Sequence, residues 1–221
     1  MSESGHPAWR VEQLRLHLVT DSALCGARDL LSVVEAAVRG GASCVQLREK
    51  TLETRAFVER ARALKVVLAP LGVPLIVNDR LDVALAACAD GVHVGQADMP
   101  PSVVRCLMPA ALIGLSVETL EQLRAAEREP VDYLGVSPVF ATATKPDAAP
   151  ALGLDGLRAM RALTRRPLVA IGGIDADNVA GVMAAGADGV AVVSALCAAP
   201  DPFDAARRLR AAMHPTLEHS R

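Results

Sequence analysis

The chain has 221 residues, of which 52% are apolar and 22% charged, with a formal net charge of −2. That length suits one compact α/β barrel, and its core must be built of Val, Leu, Ile and Ala because aromatics make up only 2%. The scarcity of stacking rings and the absence of a polybasic patch exclude a nucleic-acid partner or an anionic membrane surface, so an anionic ligand must be held by a few local cations or a metal.

Short apolar runs alternate with amphipathic stretches of helical period along the chain. Leu14–Thr20 reads as a strand, followed by a helix over Ala27–Arg39 that Gly40-Gly41 stops. Ser43–Leu47 precedes a helix over Glu53–Leu68, and Val73–Val77 precedes a short one over Leu81–Ala87. Gly91–Val94 leads to a helical turn near Ser102–Leu107, and Ala111–Leu115 to a helix over Glu118–Glu129. Glu118 is read there as a surface residue favoured by the helix dipole. Val131–Val136 opens a long loop, with the next helix starting near Leu154. Pro167–Ile171 then precedes Asp177–Ala185, and Gly189–Val193 precedes the last helix, Phe203–Ala212.

Eight strand-then-helix units, with strands apolar on both faces, predict an α/β fold, a closed (β/α)8 TIM barrel. The expectation is one domain over residues 1–221, with loose termini at about 1–12 and 215–221. Ala-Asp-Gly-Val before the fourth strand recurs before the eighth, at Ala89 and Ala187. Two similar half-barrels would give this echo, and so would ordinary Asp-Gly turn chemistry. The five cysteines include no Cys-x-x-Cys pair and read as buried, reduced thiols of a cytoplasmic protein. The polar first ten residues carry no signal-like run, and no membrane span is expected. A homo-oligomer is compatible with this composition.

Polar residues are scarce inside the strands and cluster just past all eight C-terminal ends, which converge on one mouth in this fold. Gln46, Arg48 and Lys50 lie two residues apart, so an extended segment turns them to one face and Glu49 to the other. Two cations and an amide suit a diphosphate, and a solvated basic strand end would look the same. Asp79 and Asp98 follow adjacent strands, as Mg2+ prefers, although each could instead cap the helical turn after it. The loop over Ser137–Gly153 is long for this fold and reads as a phosphate-covering lid carrying Thr142, Thr144 and Lys145, or as a Pro-rich spacer. Gly172, Gly173 and Ser194 follow strands seven and eight, where barrels commonly hold a phosphate monoester. His93, inside a strand without an evident carboxylate partner, reads as a satisfied core residue rather than a base.

The blocks Gln46-Leu47-Arg48-Glu49-Lys50, Asn78-Asp79-Arg80, Gly91-Val92-His93-Val94-Gly95-Gln96 with Asp98, Gly114-Leu115-Ser116, Thr142-Ala143-Thr144-Lys145, Ile171-Gly172-Gly173-Ile174 and Val192-Val193-Ser194 resemble, in order, those of the thiamine-phosphate synthase family. The resemblance runs from Leu18 to about Leu196. It implies a Mg2+-dependent transferase joining 4-amino-2-methyl-5-(diphosphooxymethyl)pyrimidine to hydroxyethyl-methylthiazole phosphate, with release of pyrophosphate. It implies that the Gln46–Lys50 block, Asn78, Ser116 and Lys145 hold the diphosphate, with Arg48, Lys50, Lys145 and Ser116 assisting its departure. By the same resemblance Asp79 and Asp98 bind Mg2+, and Thr142, Thr144, Gly172, Gly173, Val193 and Ser194 hold the thiazole phosphate. Three positions depart from the family pattern: His17 where tyrosine is frequent, Glu118 where histidine is common, and Ser137-Pro138 in place of Gly-Pro. The alternatives are a thiazole tautomerase-like isomerase of the same family, another phosphosugar-binding barrel, or a non-catalytic phosphate-ligand-binding regulator.

Overall fold

A computed structural model describes residues 9–142, 144 and 149–213. Eight parallel strands pair in sequence order and close on themselves. They are β1 (Leu16–Val19), β2 (Cys44–Leu47), β3 (Leu75–Asn78), β4 (Gly91–Val94), β5 (Leu112–Val117), β6 (Tyr133–Val136), β7 (Leu168–Ile171) and β8 (Gly189–Val192). Around them run helices α1 (Leu30–Arg39), α2 (Thr54–Leu68), α3 (Leu81–Ala86), α4 (Pro101–Leu107), α5 (Leu120–Ala126), α6 (Gly153–Leu163), α7 (Val179–Ala184), α8 (Ser194–Cys197) and α9 (Pro202–Ala212). The predicted (β/α)8 barrel is the observed fold.

The apolar runs serve two layers at once. Leu16, Leu18, Val45, Leu47, Val77 and Val92 pack outward against the helices, and Val19, Cys44, Ile76, Leu112, Tyr133 and Val169 fill the barrel. Helix α2 shows the matching stripe: Phe57, Ala61, Leu64 and Leu68, at helical spacing, are each at most 1% exposed. Burying each of its larger side chains contributes roughly 1.5–3 kcal/mol.

Element ends differ from the sequence expectation for local reasons. Asp29 caps α1, accepting a hydrogen bond from the Ser32 amide at 3.0 Å, so the helix starts at Leu30 rather than Ala27. Thr119 caps α5 in the same way, which leaves Glu118 before the helix rather than on it. Leu14 belongs to a 3-10 turn over Val11–Leu14, and Trp9 packs against the inner layer. The rest of the segments expected to be loose, residues 1–8 and 215–221, lies outside the described residues. Among the described residues, no helix is long and apolar enough to cross a membrane. The cysteines are unpaired; Cys25, Cys44 and Cys197 are buried, and Cys88 and Cys106 are exposed, against the expectation that all five are buried. Cys88 lies at a turn with φ +52°, past the end of α3.

The Ala-Asp-Gly-Val echo is part of a finer repeat at the N-terminal end of the barrel. Asp90 accepts from the Leu75 amide at 2.8 Å and pairs with Lys65. Asp132 accepts from the Ile113 amide at 2.7 Å and pairs with Arg105 at 2.8 Å. Asp188 accepts from the Leu168 amide at 2.8 Å and pairs with Arg161 at 2.9 Å. Ser43 does the same for the Leu16 amide at 2.9 Å. A short acceptor before every even strand thus satisfies an amide at the start of the preceding odd strand, so the repeat spans two strands rather than four.

Candidate functional site

The C-terminal ends of the strands surround a cavity of about 510 Å³. Its wall includes Gln46, Arg48, Lys50, Asn78, Asp79, Asp98, Ser116, Thr142, Thr144, Gly172, Gly173, Val193 and Ser194, which the sequence had scattered over seven strand ends. Leu47 and Glu49 lie outside it. The Leu47 side chain is buried in the outer layer, and Glu49 turns away to accept from Ser22 Oγ at 2.7 Å and pair with Arg60 at 2.5 Å. The alternation of a strand end decides this, because neighbouring side chains point to opposite faces. Glu49 therefore holds the Arg48–Lys50 segment in place instead of facing a ligand. Lys145 lies outside the described residues.

Two cations and two carboxylates meet on one side of the cavity. Lys50 Nζ lies 2.7 Å from the Asp79 carboxylate, and Arg48 lies 4.0 Å from Asp21. Asp79 has φ +63°, a left-handed conformation that aspartate tolerates better than most residues, and its amide donates to the His93 carbonyl at 2.8 Å. Asp98 accepts from the Gly95 amide at 2.7 Å. Neither carboxylate caps a helix, since the N-cap positions of α3 and α4 are Arg80 and Pro100, and neither end carries a side-chain cap bond. Burial, and then the adjacent Asp79, holds the Asp98 carboxyl above its ordinary range.

The opposite side is built from backbone. Gly172 and Gly173 have φ +108° and +61°, and Pro138, Phe140 and Ala141, at the start of the loop after β6, are seated on them. A Cβ on Gly172 would lie 2.8 Å from Pro138 Cβ, and one on Gly173 2.7 Å from the Ala141 carbonyl oxygen. The amides of Val139 and Phe140 donate to the carbonyls of Ile171 and Gly172 at 2.9 and 3.0 Å. These glycines admit the root of the loop as well as exposing backbone to a ligand. The helix opening at this edge is α8, whose first residue is Ser194. It is a four-residue helix and has no period for sequence reading to find.

The floor carries residues that sequence reading assigned to the core or to the surface. His93 is buried and hydrogen-bonded on both sides, with Nδ1 2.9 Å from Tyr133 Oη and Nε2 2.8 Å from Ser116 Oγ. It is a satisfied core residue, as its sequence position implied, and it also lines the cavity. Burial lowers its pKa to about 4. His17 is fully buried beside Tyr133, with ring centroids 5.5 Å apart and, among the described residues, no hydrogen-bond partner on either nitrogen. Burial, then the nearby His93, lowers its pKa to about 3. Glu118 lines the cavity with Gln122, whose side chain accepts from the Glu118 amide at 2.7 Å, so its assignment to the surface of a helix is corrected. Gly114 and Gly135 were the available sequence signal for a ring packed inside the barrel, because a Cβ on either would lie 2.3 or 2.8 Å from the His93 imidazole.

Comparison with known proteins gives a consistent picture. A family model described as thiamine monophosphate synthase matches residues 16–196. The chain is 60% identical over 202 residues to the thiamine-phosphate synthase of Albidiferax ferrireducens, covering 91% of this chain and 92% of that one. It is 55% identical to the protein of the same name from Chloroflexus aurantiacus, over 92% and 94% of the two chains. The solved thiamine phosphate pyrophosphorylase of Pyrococcus furiosus superposes with a TM-score of 0.85 at 39% identity, covering 91% of this chain and 96% of that one. A 3-hexulose-6-phosphate synthase, at 19% identity and a TM-score of 0.64, shares the fold.

Proposed function

This chain belongs to the thiamine monophosphate synthase family, and we propose on that footing that it joins 4-amino-2-methyl-5-(diphosphooxymethyl)pyrimidine to hydroxyethyl-methylthiazole phosphate, forming thiamine phosphate and pyrophosphate. The observation that carries this reading is one cavity with Arg48 and Lys50 on one side and Gly172, Gly173 and Ser194 on the other. That arrangement suits a diphosphate and a monophosphate held apart, with the reacting carbon and nitrogen between them.

Breaking the carbon–oxygen bond leaves negative charge on the diphosphate. Arg48 and Lys50 are preorganised to meet it, while Gln46 and Asn78 orient the group through their amides. The thiazole nitrogen attacks an electron-poor carbon without a base, so the residues have to position two rings rather than move a proton. Thr142 and Thr144, at the loop edge of the cavity, are suited to close over the monophosphate.

The donor set fits Mg2+. Asp79 and Asp98 stand close enough for burial and mutual repulsion to raise one of them, a tension that a divalent cation relieves. When bound, Mg2+ would supply charge neutralisation to the leaving diphosphate. A phosphorylated small-molecule substrate pair and unpaired cysteines both agree with a site in a reducing cytoplasm. The deciding experiment incubates the protein with both precursors and Mg2+ and reads thiamine phosphate by fluorescence after oxidation. Product that requires both precursors is expected; turnover of a thiazole substrate alone would move the assignment to an isomerase.

A further inference from the structure

We propose that Tyr133, His93 and Ser116 form a one-way hydrogen-bond relay that makes the Ser116 hydroxyl a donor to an oxygen of the bound diphosphate. The inference rests on the coupling reaction proposed above, and it makes Tyr133 and His93 positioning residues. The direction of the relay follows from where each proton can go.

Tyr133 lies in the inner layer with Ile76, Leu112, Val169, Ala191 and Cys44; the four aliphatic side chains offer no acceptor, and among the described residues the Cys44 thiol makes no hydrogen bond to the phenol. Its hydrogen-bond partner among the described residues is His93 Nδ1, at 2.9 Å. The other ring against it, His17, makes no hydrogen bond through either nitrogen among the described residues. Burial pushes the phenol well above its ordinary pKa, so it keeps its proton. That proton can reach only Nδ1, because the reverse orientation would leave a buried donor unmet, which costs more than an ordinary hydrogen bond gains.

With Nδ1 as acceptor, a neutral imidazole carries its proton on Nε2. Nε2 therefore donates to Ser116 Oγ, at 2.8 Å. Ser116 has then used its hydroxyl oxygen as an acceptor, and its own proton is left for the cavity that it lines. The ring cannot easily tilt out of line. A Cβ on Gly114 would lie 2.3 Å from Nδ1 and 2.2 Å from Tyr133 Cζ, and one on Gly135 2.8 Å from His93 Cε1, so the two rings fill the space those glycines leave. Donors aligned head to tail polarise one another, and the last one meets the oxygen on which charge develops.

Two measurements test the relay. In protein carrying 15N-histidine, long-range proton–nitrogen correlation spectra report the tautomer of each ring, with His93 assigned by its loss in His93→Gln. The Nε2–H tautomer is expected; the Nδ1–H tautomer overturns the proposal. This readout needs no turnover, so failure of the relay is distinguishable from failure of the coupling assignment. The second measurement is single-turnover coupling in Ser116→Ala, Tyr133→Phe and the double variant. Ser116→Ala should lower the rate about a hundredfold, as loss of a preorganised donor does. Tyr133→Phe should lower it several-fold in the parent and not at all in the Ser116→Ala background. An equal loss in both backgrounds would make Tyr133 merely structural and overturn the proposal.

Discussion

Acidification should unfold this protein through two barrel-interior histidines, and His17→Leu should remove half of that sensitivity. His17 and His93 are buried, with pKa values lowered to about 3 and about 4, against 6.5 in a free chain. The unfolded chain therefore takes up two protons that the folded barrel refuses. Stability from this source is complete above pH 6.5 and falls as pH drops toward 4, by about tenfold per pH unit per histidine. At pH 4.5 each histidine weakens folding about a hundredfold, and the pair removes about 5 kcal/mol. That is comparable with the whole stability of many domains, about 5–15 kcal/mol. Leucine in place of His17 removes one of the two protons, along with two buried nitrogens that have no partner. The variant should be at least as stable as the parent at pH 7.5. Urea unfolding followed by circular dichroism, from pH 7.5 to 4.5, gives the slope for each protein. Parallel pH profiles would refute the reasoning, since they would mean that His17 titrates alike in both states.

Two further outcomes probe the cavity. Asp98→Asn should leave thermal stability unchanged or raised, because burial disfavours the carboxylate it removes, while the Mg2+ concentration for half-maximal coupling rises at least about tenfold; an unchanged Mg2+ titration would remove Asp98 from the metal site. Ser194→Ala should raise KM for the thiazole phosphate about tenfold, as loss of one hydrogen bond to a charged group does, and leave KM for the pyrimidine diphosphate within about twofold. Equal changes in the two KM values would mean that the two phosphate ends are misassigned.

The barrel was legible because each strand is an apolar run between helical stretches, and the mouth was legible because its polar residues follow those runs. What sequence could not supply was the direction in which each strand residue points. A strand buried on both faces loses the alternation of apolar and polar residues, so the family resemblance carried Leu47 to the ligand with the rest of the Gln46–Lys50 block, although the two-residue spacing already set Gln46, Arg48 and Lys50 on the opposite face, as the structure has them. The same loss hid Tyr133, an inward residue in an otherwise apolar run, 40 positions from the His93 ring it bonds. Glu118 was misassigned because an apolar and charged stretch sets no boundary, and the Thr119 cap does. Asp132 was readable in principle, since it precedes an even strand as Asp90 and Asp188 do, but it lacks the Ala-Asp-Gly-Val frame.

The two ends of the barrel divide the physical demands of the fold. At the N-terminal end, Asp90, Asp132 and Asp188 each meet a backbone amide and a basic side chain. At the other end polar groups are held short of full satisfaction: His17 has no hydrogen-bond partner among the described residues, Asp98 is a carboxylate disfavoured by burial, and Asp79 sits in left-handed backbone. Each of these costs stability, and local strain of this kind persists only where the surrounding structure over-determines it. Gly114 and Gly135 widen the interior where branched side chains would otherwise close it, so they deepen the well while removing apolar contacts. The aliphatic layer between strands and helices and the paired acceptors at the closed end offset those costs. A substitution at Asp132 should accordingly weaken folding without changing the coupling rate or either KM, and one at Ser116 should act chiefly on the coupling rate, because the first group is consumed by the backbone and the second keeps a proton for a ligand.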